Sequence, residues 1–477
     1  MKLGRHLRAA AMIMATAVFS AALWSQSAVT IRVDASQPGA LISEDFLGLS
    51  FETARVLPNP DGTYYFSAQN EHLVALFRTL GIRSLRIGGN TADRGTIAIP
   101  SHADIDNLFA FAQKAGVKVI YTFRLREGNP HQAAETAKYI MERHGADLKC
   151  FAIGNEPNVF AAEYLKYRDE WKRYAVLIAS PAYAPDAKFC GPNATPGRSR
   201  WSKDFAEDFA EKGYIEFISQ HAYPGGSGRN VKDQAAAREA MLSTRWIDSY
   251  ADFSETFVPA VKAKGLTYRI EETNNFFHGG AEGVSDSFAA ALWGLDFLYW
   301  WAFRGAAGLN FHTGDSVAAG DANNRCHYAV FTTSPKGYWV RPLGYAIKAF
   351  DLGSHGRTVP TVVVSNAGTK NVSAYGVLSD NGDLYVTLIN KETRSVDGDT
   401  KVLLQGIDAF FDPEIVVLSA PGGSIAAASG ITLAGAQISE DAAWEGKWKA
   451  LPSESGNRQI VVEIPAATAA VVRMRRQ

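Results

Sequence analysis

The chain has 477 residues, of which 47% are hydrophobic and 11% aromatic, so it holds enough apolar material for a large packed core. This composition excludes a disordered, collagenous or coiled-coil protein. A total of 48 Lys and Arg against 49 Asp and Glu gives a net charge of −1, spread along the sequence, which argues against a nucleic-acid partner or an anionic membrane surface. The substrate therefore need not be a polyanion.

The first residues have the layout of a secretory signal peptide. Lys2, Arg5 and Arg8 precede an apolar run over 9–23, and small residues follow up to Ala28. This run is shorter than the about 20 residues of a membrane anchor, so we predict a cleaved leader over 1–28 and an exported protein, periplasmic or secreted, with no membrane association after cleavage. Removal of these three cations and no acid changes the net charge from −1 to −4.

Three cysteines are too few for a disulfide scaffold. Cys150, Cys190 and Cys326 also show no CxxC spacing, so a zinc site is not indicated. We expect structural thiols, and one disulfide is left open.

From about residue 45 to 312 the sequence repeats a short apolar run that ends in polar residues, followed by a stretch with helical spacing. The eight predicted strands are 46–52, 84–90, 118–125, 150–156, 188–193, 217–223, 268–273 and 308–313. Eight alternating units fit a (β/α)8 TIM barrel better than a doubly wound sheet, and we place the catalytic barrel at 42–353.

After about residue 354 the helical spacing disappears and short strands follow one another. They are predicted at 372–379, 384–390, 401–404, 415–419, 460–464 and 470–474. Asp380-Asn381-Gly382 separates the first two and indicates a hairpin, because Asn-Gly tolerates the positive φ of a type I′ turn. We predict an all-β sandwich over 354–477, completed by an N-terminal strand within 29–41, where residues 29–33 alternate.

Two carboxylates stand out at the C-terminal strand ends, where barrel proteins carry their active sites. Glu156 ends strand four and Glu272 ends strand seven, and these strands face each other across the barrel mouth. Glycosidic hydrolysis requires such a pair, because one carboxyl protonates the leaving oxygen while the other attacks or assists at the anomeric carbon. Glu271 is the nearest competitor. Because side chains alternate along a strand, we expect Glu271 and Glu272 to point oppositely, with one of them facing the lumen side of the mouth.

Several motifs together resemble glycoside hydrolase family 79, within the superfamily of retaining barrel glycosidases. They are Gly154-Asn155-Glu156-Pro157-Asn158, Glu272-Thr273-Asn274-Asn275 followed by Gly279-Gly280, and Arg86-Ile87-Gly88-Gly89. The resemblance covers the barrel and the β-domain, and the family contains the β-glucuronidases and heparanase. It implies that Glu156 is the acid/base and Glu272 the nucleophile. No metal or organic cofactor is implied.

The resemblance also implies which residues hold the sugar. The predicted substrate-binding residues are Glu52, Asn90, Asn155, His221, Tyr223, Gly279, His312 and Tyr328. Asn155 would contact the sugar 2-hydroxyl, Tyr223 would hydrogen-bond the nucleophile, and Glu52 and Asn90 would hold outer hydroxyls. The two histidines are placed at the rim because they end strands six and eight.

A uronic acid needs donors for its carboxylate. Tyr328 matches a family tyrosine with this role, and the backbone at Gly279 is a second source of donors. Where the family usually has another tyrosine, this chain has Phe277, which cannot donate but can stack on a sugar ring or pack against neighbours.

We therefore predict an exo-acting retaining β-glucuronidase that acts on a small-molecule or polysaccharide glucuronide. One alternative is a retaining exo-glycosidase for a neutral sugar, which Phe277 favours. The other is a non-catalytic carbohydrate-binding protein, which the two intact glutamate motifs argue against.

Overall fold

The structure is a computed structural model that describes residues 28–316, 325–366, 369–393, 398–452 and 460–476. Residues 1–27 of the predicted leader lie outside the described residues. Within the described ranges, no helix combines the length and the apolar character that a membrane span requires.

A first strand, β1 (Ala28–Val33), precedes a closed barrel of eight parallel strands. The barrel strands are β2 (Leu47–Glu52), β3 (Ser84–Gly88), β4 (Lys118–Phe123), β5 (Leu148–Ile153), β6 (Phe189–Ala194), β7 (Ile215–Ala222), β8 (Tyr268–Thr273) and β9 (Gly308–His312). They follow one another in chain order, and β9 pairs with β2 to close the ring. All eight predicted barrel strands are confirmed, with ends displaced by a few residues.

Ten α-helices are described, and most of them cover the outside of the barrel. They are α1 (Glu71–Leu80), α2 (His102–Ala115), α3 (Pro130–His144), α4 (Tyr164–Ile178), α5 (Arg200–Phe209), α6 (Gln234–Met241), α7 (Thr244–Glu255), α8 (Val258–Ala263), α9 (Phe288–Ala302) and α10 (Pro342–Gly353). Sequence signals set their ends. For example, the Asn70 side chain accepts the N–H of Leu73 at the start of α1, and Gly81 ends that helix with a φ of 73°.

The remaining strands follow the last barrel strand. They are β10 (Phe331–Ser334), β11 (Gly337–Val340), β12 (Arg357–Val359), β13 (Thr361–Asn366), β14 (Val372–Leu378), β15 (Leu384–Asn390), β16 (Thr400–Gln405), β17 (Phe410–Ser419), β18 (Thr432–Leu433), β19 (Lys449–Ala450), β20 (Ile460–Ile464) and β21 (Thr468–Arg476). The predicted hairpin is confirmed, because β14 and β15 pair antiparallel around Asn381-Gly382. The hairpin of β10 and β11 was not predicted.

Two sheets of these strands form the predicted sandwich. One has the order β13-β1-β16-β20, and the other contains β12, β14, β15, β21, β17 and β18. Val29, Ile31 and Val33 of β1 are buried in the same apolar cluster as Val386 and Val472 of the second sheet. The N-terminal strand therefore completes the sandwich, as predicted.

Helix α9, which lies between β8 and β9 in the chain, packs between the barrel and the sandwich, and all of its residues are buried. Its Asp296 accepts hydrogen bonds from Tyr375 at 2.6 Å and from Lys391 at 2.7 Å, both from the sandwich. A helix that is apolar on all sides is stable when every face is buried. Here the sandwich covers the face that does not pack against the barrel.

The expectation of structural thiols is wrong for two cysteines. Cys150 on β5 and Cys190 on β6 form a disulfide, with Cα atoms 6.0 Å apart. The two residues lie on adjacent barrel strands, a proximity that their separation of 40 residues does not reveal. Cys326 is a free, buried thiol.

Candidate active site

The C-terminal ends of the barrel strands surround a cavity of about 530 Å³. The predicted site residues that line it are Glu52, Asn90, Glu156, Tyr223, Glu272, Gly279, His312 and Tyr328. The other two contact lining residues: Asn155 lies beside Asn90, and His221 lies beside Glu156. His221 was expected at the rim but is fully buried, because it lies within β7, where its Nδ1 contacts Oε1 of Glu156.

A strained turn after β5 aims Glu156 into the cavity. The backbone is left-handed there, with φ of 83° at Gly154 and 46° at Glu156. The Asp93 carboxylate accepts the N–H of Asn155 at 2.6 Å, and the N–H of Glu156 donates to the carbonyl oxygen of Asn193 at 3.0 Å. A non-glycine residue keeps such a conformation where its surroundings enforce it, so this turn sets the direction of the Glu156 side chain.

Strand β8 carries an extra residue just before its end. Two consecutive residues of β7 pair with Ile270 and Glu272, so Glu271 has no opposite residue in β7, and the pairing with β9 shifts at the same place. A bulge of this kind interrupts the alternation of side chains. As a result both glutamates reach into the barrel, where each contacts Arg86. The expectation that Glu271 and Glu272 point oppositely is therefore wrong.

The surroundings of Glu272 keep its carboxylate ionised. Tyr223 donates a hydrogen bond to Oε1 at 2.9 Å, and the fully buried Arg86 donates to Oε2. Burial acts to raise the pKa of Glu272, but the charges of His312, His221 and Arg86 outweigh it and hold the pKa well below its usual value. An ionised, oriented carboxylate is the form that can attack a carbon atom.

Glu156 faces Glu272 across the cavity. Together with His221, each residue offers one oxygen or nitrogen atom, and these atoms lie within 4.8 Å of one another. Glu156 is the more exposed of the two glutamates, and its Oε1 lies 3.1 Å from Nδ1 of His221. These donor types also occur in metal sites, but Glu272 already binds the Arg86 guanidinium, whose charge would repel a cation. The cluster fits proton transfer and attack better than metal binding.

Arg86 also sets the orientation of Asn155. Its Nη2 donates to Oδ1 of Asn155 at 2.7 Å. The amide nitrogen of Asn155 is turned toward Asn90, 3.5 Å from Oδ1 of that residue. With its oxygen occupied, Asn155 presents its NH2 group at the cavity edge, where it can donate to a hydroxyl oxygen.

On the side of the cavity near β2, the Glu52 carboxylate is fixed by hydrogen bonds and close packing. Glu52 accepts the backbone N–H of Thr91 at 2.7 Å, and a Cβ atom at Gly89 would lie 2.5 Å from its carboxylate. Nε2 of His312 lies 3.6 Å from Glu52, and Nδ1 lies 3.9 Å from Glu272. Burial lowers the pKa of His312, but the two carboxylates raise it more, so the pKa lies above its usual value.

Tyr328, Gly279 and Phe277 form a further part of the wall, and the Tyr328 ring centroid lies 5.9 Å from that of His312. The carbonyl oxygen of Gly279 accepts the N–H of Tyr328 at 3.3 Å, which ties the two segments together. The Phe277 ring meets the Tyr223 ring edge-on, with centroids 6.1 Å apart. Phe277 therefore both lines the cavity and packs against Tyr223.

Sequence reasoning missed part of the cavity wall. The missed residues are Val159, Thr195, Pro196, Gly197, Gly226 and His278. They lie on loops after the strands, and no spacing in the sequence indicates which loop residues fold back over the mouth. His278 has a φ of 61°, a left-handed backbone conformation that the sequence alone does not predict.

No family model matches the sequence. Among curated proteins, the chain is 26% identical over 200 residues to a β-glucuronidase of Aspergillus niger, an alignment that covers 36% of this chain and 35% of that one. It is 22% identical over 342 residues to a β-glucuronidase of Neurospora crassa, covering 60% of each, and 25% identical over 212 residues to heparanase of Bos taurus, covering 42% and 37%. The chain thus spans between about a third and three fifths of the length of these relatives.

The resemblance to glycoside hydrolase family 79 is confirmed. The fold of this chain also occurs in solved structures. A 4-O-α-L-rhamnosyl-β-D-glucuronidase from Fusarium oxysporum matches with a TM-score of 0.70 and 18% identity, over 93% of this chain and 100% of that one. A family 51 arabinofuranosidase from Xanthomonas axonopodis pv. citri matches with a TM-score of 0.66 and 16% identity, over 94% and 100%. The predicted barrel with a β-sandwich is therefore an architecture shared with glycosidases.

Proposed function

We propose that this chain is a retaining, exo-acting β-glucuronidase. The observation that carries the proposal is the facing pair of Glu156 and Glu272, whose carboxylate oxygens come within 4.8 Å of each other at the barrel mouth. Retaining glycosidases place their two carboxyl groups about 5–5.5 Å apart, whereas inverting ones leave room for a water at about 6.5–9.5 Å. The short separation supports direct attack by one carboxylate.

The unequal surroundings of the two glutamates assign their roles. Glu272 is buried, ionised and held by Tyr223 and Arg86, so its Oε attacks the anomeric carbon and a glycosyl-enzyme ester forms. Glu156 gives its proton to the leaving oxygen as the glycosidic bond breaks. It then takes a proton from water, and the resulting hydroxide cleaves the ester to release the sugar and free Glu272.

The relatives support a uronic acid as the sugar, since two are β-glucuronidases. In this proposal the Tyr328 hydroxyl and the backbone beside Gly279 hold the uronate, while Glu52, Asn90 and Asn155 hold the ring hydroxyls. His312, next to Glu52 and Glu272, contributes from the same wall. A cavity of about 530 Å³ fits a terminal sugar with part of its aglycone, within the range of about 300–1,000 Å³ that is usual for small ligands.

A neutral sugar is the second candidate. Of the cavity-lining residues within the described ranges, none is Lys or Arg, and Phe277 occupies a wall position without a donor. Uronate binding in this chain would rest on hydroxyl and backbone N–H groups.

A panel of aryl glycosides tests the proposal. We expect cleavage of the β-glucuronide well above the β-glucoside, β-galactoside and α-arabinofuranoside, with net retention at the anomeric carbon by NMR. Glu272→Gln should abolish turnover, while Glu163→Gln, at an exposed glutamate that contacts Lys166, should not. Preference for a neutral glycoside would support the second candidate, and cleavage of none would support a carbohydrate-binding protein.

The division of the chain and its destination are part of the proposal. We propose a leader over 1–28, an N-terminal strand segment over 29–41, a barrel over 42–353 and a sandwich domain over 354–477. In this arrangement the leader directs export, and N-terminal sequencing of the protein recovered outside the cytoplasm would test the cleavage site.

A further inference from the structure

The barrel interior holds a third glutamate, which the proposed mechanism does not use. Glu271 is fully buried, and its Oε1 lies 3.3 Å from Nε of Arg86. Its Oε2 is buried without a hydrogen-bond partner among the described residues. A buried carboxylate with an unsatisfied oxygen costs stability, so its presence beside the catalytic pair calls for a physical reason.

Arg86 joins Glu271 to the two groups that matter most for the reaction. The guanidinium contacts Glu271 through Nε, Glu272 and Ser50 through Nη1, and Asn155 through Nη2. A planar guanidinium has a fixed fork of donors, so anchoring Nε fixes where Nη1 and Nη2 point. The extra residue in β8 is what brings Glu271 under Nε, because a regular strand would turn it away.

We propose that Glu271 is a positioning residue, which anchors Arg86 so that it orients both Glu272 and Asn155 while sharing the guanidinium charge between two carboxylates. This inference rests on the proposed function. One positive charge that faces two carboxylates leaves Glu272 partly uncompensated, and an uncompensated carboxylate is a stronger nucleophile than one in a full ion pair. Without the charge of Glu271, Arg86 would pair with Glu272 alone.

The groups around Glu271 define its response to pH. Arg86 on β3, His221 on β7 and Arg269 on β8 face it with positive or titratable charge, Glu272 follows it in the chain, and Tyr167 on α4 lies within electrostatic range. Burial raises the pKa of Glu271, and these cations offset this only in part. When Glu271 is protonated at acid pH, it no longer shares the charge of Arg86, and Arg86 then forms its ion pair with Glu272 alone.

Glu271→Gln tests the inference, because glutamine keeps the shape and an acceptor oxygen for Nε but removes the charge. With an aryl β-glucuronide we expect kcat to fall on the order of 10-fold, the size of one charged hydrogen-bonding interaction, with KM little changed. The acid limb of the wild-type pH profile should move to lower pH in this variant. Glu271→Asp, which keeps the charge, should retain the wild-type limb.

Thermal unfolding provides a readout that does not depend on turnover. Because the folded-state pKa of Glu271 is raised, its ionised form costs stability above that pKa, so Glu271→Gln should raise Tm relative to wild type more at pH 7 than at pH 4. Wild-type kcat and an unmoved acid limb in Glu271→Gln, or an equal change in Tm at both pH values, would overturn the inference. A wild-type enzyme that cleaves no glycoside would instead overturn the proposed function.

Discussion

The Tyr223 hydroxyl donates a 2.9 Å hydrogen bond to Oε1 of Glu272, from the residue that directly follows β7, the strand next to that of the glutamate. Tyr223 is buried, and its pKa is raised well above the usual value by burial and by the Glu272 charge, so it stays a donor. Replacement by phenylalanine keeps the ring but removes the donor. We expect Tyr223→Phe to lower kcat about 10-fold at similar KM, since a hydrogen bond to a charged group contributes about 1.5–3 kcal/mol. An unchanged kcat would mean that this contact does not orient the nucleophile.

Glu156→Ala should separate substrates by their leaving groups. A good leaving group departs without protonation, whereas a poor one needs the proton of Glu156. We expect nitrophenyl glucuronides to retain far more activity than alkyl glucuronides, measured as kcat/KM across a series of leaving-group pKa values. Glu163→Gln serves as the control, because this glutamate is exposed and contacts Lys166. A uniform loss across the series would contradict the acid/base role.

Much of this architecture follows from periodicity. Strand runs with polar ends predict the barrel and place Glu156 and Glu272 opposite each other, because the order of strands around a parallel barrel is the order in the chain. What periodicity cannot predict is an irregularity. The bulge at Glu271 depends on pairing with both neighbouring strands, and the burial of His221 depends on side chains from several strands.

The stability of Glu272 variants should depend on pH with a definite sign. The folded-state pKa of Glu272 lies below its usual value of 4.5, so its ionised form stabilises the fold above that pH, and this contribution is lost as the pH falls through the folded-state pKa. Glu272→Gln should therefore lower Tm relative to wild type at pH 7, with a smaller difference at pH 3. This sign is opposite to that expected for Glu271→Gln. A difference that grows toward acid pH would contradict the ionised state of Glu272.

Phe277→Tyr tests how the cavity selects its sugar. The ring already reaches the cavity edge-on to Tyr223, so a hydroxyl on it would add a donor at the wall. We expect the ratio of kcat/KM for β-glucuronide over β-glucoside to rise about 10-fold, the size of one hydrogen bond to a carboxylate. Phe277→Leu, which adds no donor, is the control. An equal gain for both glycosides would indicate packing rather than uronate recognition.

Alanine substitution at two glycines, Gly89 and Gly62, separates the effect of contact with Glu52 from the effect of backbone strain. Gly89 has a φ of 67°, and a Cβ there would lie 2.5 Å from the Glu52 carboxylate. Gly62 has a φ of 81° with no atom near its Cβ position. Both alanine variants should lose some stability because of the positive φ, on the order of 1 kcal/mol. We expect Gly89→Ala alone to raise KM, since it displaces Glu52. Equal KM values in the two variants would argue against a role of Glu52 in binding.

Strand β1 lies in the middle of its sheet, between β13 and β16, although the entire barrel separates it from them along the chain. During synthesis β1 leaves the ribosome before the barrel, and its sheet partners leave the ribosome after the barrel. Until they arrive, Val29, Ile31 and Val33 have no apolar cluster to join. The sandwich can close only after the barrel and the strands up to β20 have been synthesised, so its assembly is a late and slow event governed by long-range contacts. Expression of residues 354–477 alone should accordingly yield an incomplete sheet, which the addition of a β1 peptide would repair.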